Sequence, residues 1–251
     1  MNTENIALLI TFLLGIFIGI GAILAFFFQN KKKILDFIFA LALSLLLMLI
    51  AFDLLPEIIE IFTMTYIWLF LLLAFVGILL FKVLDEFIPE HQHDKHLTKQ
   101  ENATNMNHIG TLTTIALVIH NIIEGMAIFI AAANDVSLGI MMSLGVGLHN
   151  IPLGMIITTT FTQSNTKKSK VGFYIFALCI SSFLGGAIAY VFEITNVNPL
   201  WMGSLLSLTL GMLSYIVFFE LWPRVKATSD KKITTCGLLV GIILLAITML
   251  F

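Results

Sequence analysis

Eight apolar runs, each about as long as a bilayer is thick, take up almost all of the chain. A spanning α-helix needs about 20 apolar residues. On that ruler the runs fall at roughly 6–28, 34–59, 67–88, 109–133, 136–162, 171–194, 200–222 and 233–251. They are far too long for barrel strands, so the expected class is all-α, a polytopic integral membrane protein. Composition points the same way: 11% of residues are charged, against about 25% in a soluble domain, and mean hydropathy is +1.03. A net charge of -2 leaves no basic surface for nucleic acid. Cys179 and Cys236 fall on different spans and indicate no disulfide framework. The first run is too long for a signal-peptide core and lacks a basic start, so it reads as span one. Residues 1–251 form one expected transmembrane domain, whose only extended loop is 89–108.

Basic residues orient these spans. Lys31, Lys32 and Lys33 lie in the first loop, and Lys95 and Lys99 in the third. Lys167, Lys168 and Lys170 lie in the fifth, and Arg224, Lys226, Lys231 and Lys232 in the seventh. Lys82, near the end of span three, can snorkel to the same side. None of the 13 Lys and Arg lies in an even-numbered loop or at a terminus. The positive-inside rule then predicts odd loops in the cytoplasm and both termini outside.

Within this apolar chain two stretches are near copies: His120-Asn121-Ile122-Ile123-Glu124-Gly125-Met126 on span four and His149-Asn150-Ile151-Pro152-Leu153-Gly154-Met155 on span five. His120 and Glu124, four residues apart, share one helix face. Ionisable groups inside a membrane cost several kcal/mol and mark functional sites. Imidazole and carboxylate are donors that first-row divalent metals accept. The antiparallel course of spans four and five puts His120, Glu124, His149 and Asn150 at similar depth near the bilayer centre. Transporters commonly bind cargo there, between repeated elements. The expected metal ligands are His120, Glu124 and His149, with Asn121 and Asn150 either assisting or bonding helices together. Pro152 is expected to kink span five and free carbonyls beside His149.

These features resemble the ZIP metal transporters. The resemblance rests on paired H-N-x-P-E-G motifs on spans four and five, eight spans, outward termini and a histidine-bearing cytoplasmic loop. Asp53-Leu54-Leu55-Pro56-Glu57, Asp85-Glu86-Phe87-Ile88-Pro89 and Glu220-Leu221-Trp222-Pro223 are most similar to the bacterial GufA-like branch. The resemblance implies a 3+2+3 helix arrangement with inverted repeats and a homodimer in the bacterial cytoplasmic membrane. It also implies import of a divalent cation, zinc first, with iron, manganese and cobalt as further candidates. The metal would be cargo rather than a prosthetic group. Asp53 and Glu220 become candidate pathway acids. Glu57, Asp85 and Glu86 are also placed to draw in or release cations. His91, His93 and His96 become a candidate capture site at the cytoplasmic exit.

The chain departs from the family pattern in several places. Ile123 stands where the family usually has proline, and Leu153 where it usually has glutamate. Ser182 aligns with a further glutamate on span six, and Leu46, with Met48 nearby, with a methionine on span two. The carboxylates of a second metal site are therefore missing. One site built on His120, Glu124 and His149 is expected, with the alternative that these changes mark a different cargo. Two imidazoles, one carboxylate and an open position also describe a catalytic zinc centre. An intramembrane zinc hydrolase, or a membrane sensor that binds without transporting, therefore remains an alternative from sequence alone.

Overall fold

The computed structural model describes residues 2–28, 32–62, 66–87, 99–194 and 198–248. Among these residues there is no strand, and eight helices are long and apolar enough to cross a membrane. In chain order the α-helices are α1 (Thr3–Phe28), α2 (Lys32–Leu49), α3 (Leu55–Ile61), α4 (Ile67–Phe87), α5 (Lys99–Asn134), α6 (Val136–Gln163), α7 (Lys168–Val191), α8 (Pro199–Tyr215), α9 (Trp222–Lys226) and α10 (Lys231–Thr248). Span two comprises α2 and α3, and span seven comprises α8 and α9. In each, a π-helical turn joins the two parts: Ile50–Leu54 in span two and Ile216–Leu221 in span seven.

Both π turns have the same local cause. A proline has no N–H to give and crowds the carbonyl four residues before it. Pro56 and Pro223 follow the two turns closely, and the ladder widens by one residue ahead of each. The Leu55 N–H donates to the Ile50 carbonyl, and the Trp222 N–H donates to the Val217 carbonyl. Asp53 and Glu220 lie inside these widened turns. Pro152, by contrast, sits inside α6, which continues past it without interruption. The helix is thus unbroken at the position where a kink is expected, and the proline cannot donate to the Leu148 carbonyl.

The loop expected over 89–108 is also shorter than its sequence suggested. Helix α5 begins at Lys99, because Lys99, Gln100, Glu101, Ala103 and Met106 are good helix formers that carry the turn beyond the apolar run. His108 is consequently a buried helical residue, 1% exposed, rather than part of a loop. His91, His93 and His96 lie outside the described residues.

The eight spans sort into two groups. Span one packs along span five, and span six packs along span four; spans one and six also meet, as do four and five. Span two packs along span eight, and span seven along span three. Exchanging one with six, two with seven, three with eight and four with five preserves every one of these pairings, as inverted repeats require. Spans one, four, five and six thus form one group, and spans two, three, seven and eight the other.

Close packing in lipid has little hydrophobic drive and depends on small residues that let backbones touch. At the four–six crossing a Cβ on Gly125 would collide with the Ser182 carbonyl, and one on Gly185 with the Ile122 carbonyl. The one–five crossing repeats this reciprocity, with Gly21 against Ile151 and Gly154 against Ile18. On the basic-loop side the second group is tied by Arg224 over the Phe39 ring, 5.2 Å from its centroid, and by Lys33 to Asp230 at 3.9 Å. Large apolar side chains face outward, among them Phe12, Ile23, Trp68, Phe75 and Phe173. On a soluble protein this would be an aggregating surface; here it meets lipid.

Adding one methyl at the four–six crossing tests its tightness. Gly185→Ala is expected to destabilise the protein by about 1–3 kcal/mol through overpacking, seen as a lower thermal midpoint in detergent. Gly172→Ala, where an added Cβ meets nothing within 4 Å, should leave the midpoint unchanged or slightly higher.

Candidate metal-transport site

Three of the expected ligands converge. Glu124 Oε1 lies 3.7 Å from His120 Nε2 on its own helix and 3.4 Å from His149 Nε2 on the neighbouring one. One donor atom from each residue falls within 4.8 Å of the others. His120 is 2% exposed and His149 4%. The i, i+4 spacing on α5 supplies the first pair, and the antiparallel run of α6 brings the third residue to the same depth.

Their remaining valences are poorly occupied. Among the described residues, both His120 ring nitrogens, His149 Nε2 and Glu124 Oε2 are buried with no hydrogen-bond partner. The same holds for the Asn121 amide oxygen and for both polar atoms of the Asn150 amide. Buried polar groups are normally satisfied, and each exception calls for a reason. Five neighbouring side chains with open donor or acceptor positions on two adjacent helices suit an arriving cation.

The positions where the family resemblance leads one to expect further ligands are occupied by packing groups. Leu153 is buried and part of the main apolar core, as is Leu46. Ser182 is fully buried, and its hydroxyl has no partner among the described residues. Its backbone carbonyl instead sits against Gly125.

The expected pathway acids separate. Asp53 is exposed and lies within electrostatic range of His149, Glu124 and His120. Glu57, also exposed, interacts with Asp53, Glu124 and Glu60. These acids, on span two, form a series that descends from the acid-lined end to the ligand cluster. Glu220 belongs elsewhere. It lies 3.9 Å from His108 Nε2, and His108 also bonds Asp85. His108 and His120 are 12 residues apart on α5, about 18 Å along the helix axis. Sequence reading noted Asp85 and Glu220 but left His108 in a loop. The available signal was its place at the edge of the span-four apolar run, two residues after Met106.

A family model described as ZIP zinc transporter matches residues 88–249. The chain belongs to the ZIP family. It is 27% identical to a zinc transporter ZupT of Streptococcus mutans over 254 residues, which cover 97% of this chain and 96% of that protein. A zinc transporter ZupT of Clostridium perfringens is 25% identical over 278 residues, covering 100% of this chain and 97% of that protein. One from Oceanobacillus iheyensis is 25% identical over 266 residues, covering 100% and 99%. Membership of a transporter family sets aside the intramembrane hydrolase; the chain is not an enzyme. It is a multi-pass membrane protein of the ZIP class.

Leu153 gives the site its most direct test. Leu153→Glu would place a carboxylate one turn beyond His149 and Asn150. It is expected to raise zinc occupancy or to change the order of preference among zinc, manganese, iron(II) and cobalt, measured by equilibrium dialysis on purified protein. Unchanged occupancy and preference would show that this position does not face the metal.

Proposed function

We propose that the chain imports a divalent cation, zinc first, through the site formed by His120, Glu124 and His149. The observation that supports this most is the convergence of two imidazoles and one carboxylate, at matching depth on adjacent spans, with their donor atoms otherwise unsatisfied. The basic loops orient the protein, with the Glu60, Glu57 and Asp53 end outside, and import follows the family resemblance. Placement in the cytoplasmic membrane and assembly as a homodimer follow the family resemblance.

The route follows from charge. Glu60, Glu57 and Asp53 raise the local cation concentration at the outer entrance, as an acid-lined cleft does. At the site, neutral imidazoles and the Glu124 carboxylate replace part of the ion's water shell, and Asn121 or Asn150 supplies neutral oxygen. A single carboxylate leaves a bound divalent ion with net positive charge in a low-dielectric surrounding. This keeps binding weak enough for release, while Asp53, carried by the other helix group, offsets part of that charge on the outer side.

Alternating access fits the division of the helices. All three ligands belong to the group of spans one, four, five and six, whereas Asp53 belongs to the other. Displacement of the first group toward the cytoplasm would carry the ion away from Asp53. On α5, Leu112, Ala116 and Leu117 are buried on the cytoplasmic side of the site, as are Ile156, Ile157 and Phe161 on α6. In the state described here that side is filled with apolar side chains.

Zinc uptake into proteoliposomes tests the assignment. Glu124→Ala and His120→Ala are each expected to abolish uptake while leaving a monodisperse, folded protein. Normal transport by either variant would remove the site from the pathway. A protonated imidazole cannot donate to a metal. Lowering the pH from 7.5 to 5.5 should therefore weaken zinc binding at His120 and His149. Titration calorimetry across that range would show it, and affinity independent of pH would exclude histidine ligation.

A further inference from the structure

Away from the metal ligands, the outer ends of α1, α5 and α7 enclose a cavity of about 590 Å³, within the size range of sites that take organic ligands. Its wall carries two carboxylates, Glu4 and Glu193, the rings of Phe129 and Tyr190, and the Asn134 amide. The two rings meet edge to face, with centroids 6.2 Å apart. Asn134 Nδ2 donates to the Ile130 carbonyl at 2.8 Å, which leaves the amide oxygen to accept. Glu4 accepts from the Asn2 amide at 3.5 Å. Among the described residues neither acid forms an ion pair, and no Lys or Arg lines the cavity.

Helix geometry adds to this charge. α5 ends at Asn134 and α7 at Val191, both on the cavity wall, so the negative ends of two helix dipoles converge there. Neither helix has a basic residue in its last turn to compensate. The way α7 stops sets the position of Glu193. The Ile194 N–H donates to the Ala189 carbonyl at 2.8 Å and the Glu193 N–H to the Tyr190 carbonyl at 3.1 Å, the pattern of a Schellman cap. Glu193 takes the left-handed position of that cap, at φ 50°, where glycine is favoured. A glycine would end the helix with less strain; the glutamate brings a carboxylate to the cavity.

We propose that this cavity binds the headgroup of a zwitterionic, ammonium-bearing phospholipid of the outer leaflet. The two acids, the amide oxygen and the two helix ends call for a cation, and the rings of Phe129 and Tyr190 suit an alkylammonium. A bare metal ion would leave most of the volume empty against an aromatic and apolar wall. Position favours a lipid over a soluble amine. The walls are the outer ends of spans, at the level of lipid headgroups, and Val191 and Phe192 beside them are exposed on the lipid-facing side. Thr3 adds a hydroxyl to the wall at the N-terminus of α1, the helix end that accepts a phosphate. All the walls come from spans one, four and six. The bound headgroup therefore braces the outer ends of the helix group that carries the metal ligands.

Delipidated full-length protein in detergent is titrated with phosphatidylethanolamine or with phosphatidylglycerol of the same acyl chains. Bound lipid is counted by native mass spectrometry and the thermal midpoint is followed in parallel. Phosphatidylethanolamine should bind about tenfold or more tightly than phosphatidylglycerol, which has no ammonium, and should raise the midpoint saturably. The isosteric double variant Glu4→Gln/Glu193→Gln should lose that preference while keeping the lipid-free midpoint of the wild type. Equal binding of the two lipids by the wild type, or an unchanged preference in the double variant, would overturn the proposal. Free ethanolamine raising the wild-type midpoint as far as the lipid does would overturn the lipid as occupant in favour of a soluble amine. Glu193→Gly separates binding from folding: by relieving the left-handed position it should keep or raise the lipid-free midpoint, yet lose the response to phosphatidylethanolamine. A full response in Glu193→Gly would likewise overturn the site.

Discussion

A carboxylate held at the centre of a bilayer determines much of this structure. Glu124 can be buried there only if something compensates its charge, because the surrounding spans offer almost no polar surface. His120 and His149 are placed within 3.7 Å and 3.4 Å of it, yet neither closes a well-formed hydrogen bond that would settle the matter internally. The helices must then be rigid enough to keep three donors together without mutual bonding. Reciprocal glycine contacts supply that rigidity. Span four is pressed against span six at Gly125 and Gly185, and span five against span one at Gly21 and Gly154. Backbone contact replaces side-chain interlocking, so the ligand-bearing pair is packed tightly against its two supports.

Much of this was legible in the sequence because the relevant signals are local. Span length follows from bilayer thickness, and the i, i+4 pairing of His120 with Glu124 from the helical repeat. The positions of His149 and Leu153 follow from the duplicated motif. All eight expected spans reappear, with ends shifted where helix continues past the apolar stretch, by ten residues at Lys99 and by four at Lys226. What stayed hidden depended on tertiary pairing. Pro56, Pro152 and Pro223 look alike in sequence. Two of them follow π turns, while the third is accommodated in a continuous helix. His108 looked like a loop residue because hydropathy marks the edge of the lipid-facing run, whereas the helix itself begins nine residues earlier. Its partners come from 23 residues before and 112 residues after it, separations that no local pattern reveals.

The π turns link the two ends of the pathway. Each repeat contains an acidic residue three positions before a proline: Asp53 before Pro56 and Glu220 before Pro223. In both repeats the proline loosens the turn that carries the acid. Since the repeats are inverted, the same local device appears once on the outer side and once on the inner side. Asp53 faces the midplane cluster across the boundary between helix groups, and Glu220 faces His108 across that boundary. Each acid therefore belongs to one group and finds its histidine on the other.

That crossing of ownership gives the pathway a direction. At the outer side, sharing is loose: Asp53 is exposed and acts on the midplane residues through its charge. At the inner side it is tight, with His108 buried in direct contact with Asp85 and near Glu220. Asp53 thus makes no packed contact with its histidines, whereas His108 is held in direct contact with Asp85 from the other group. The asymmetry of the two ends, within a fold whose helices pair symmetrically, lies most plainly in His108, a buried histidine that meets the inner acids from the opposite group.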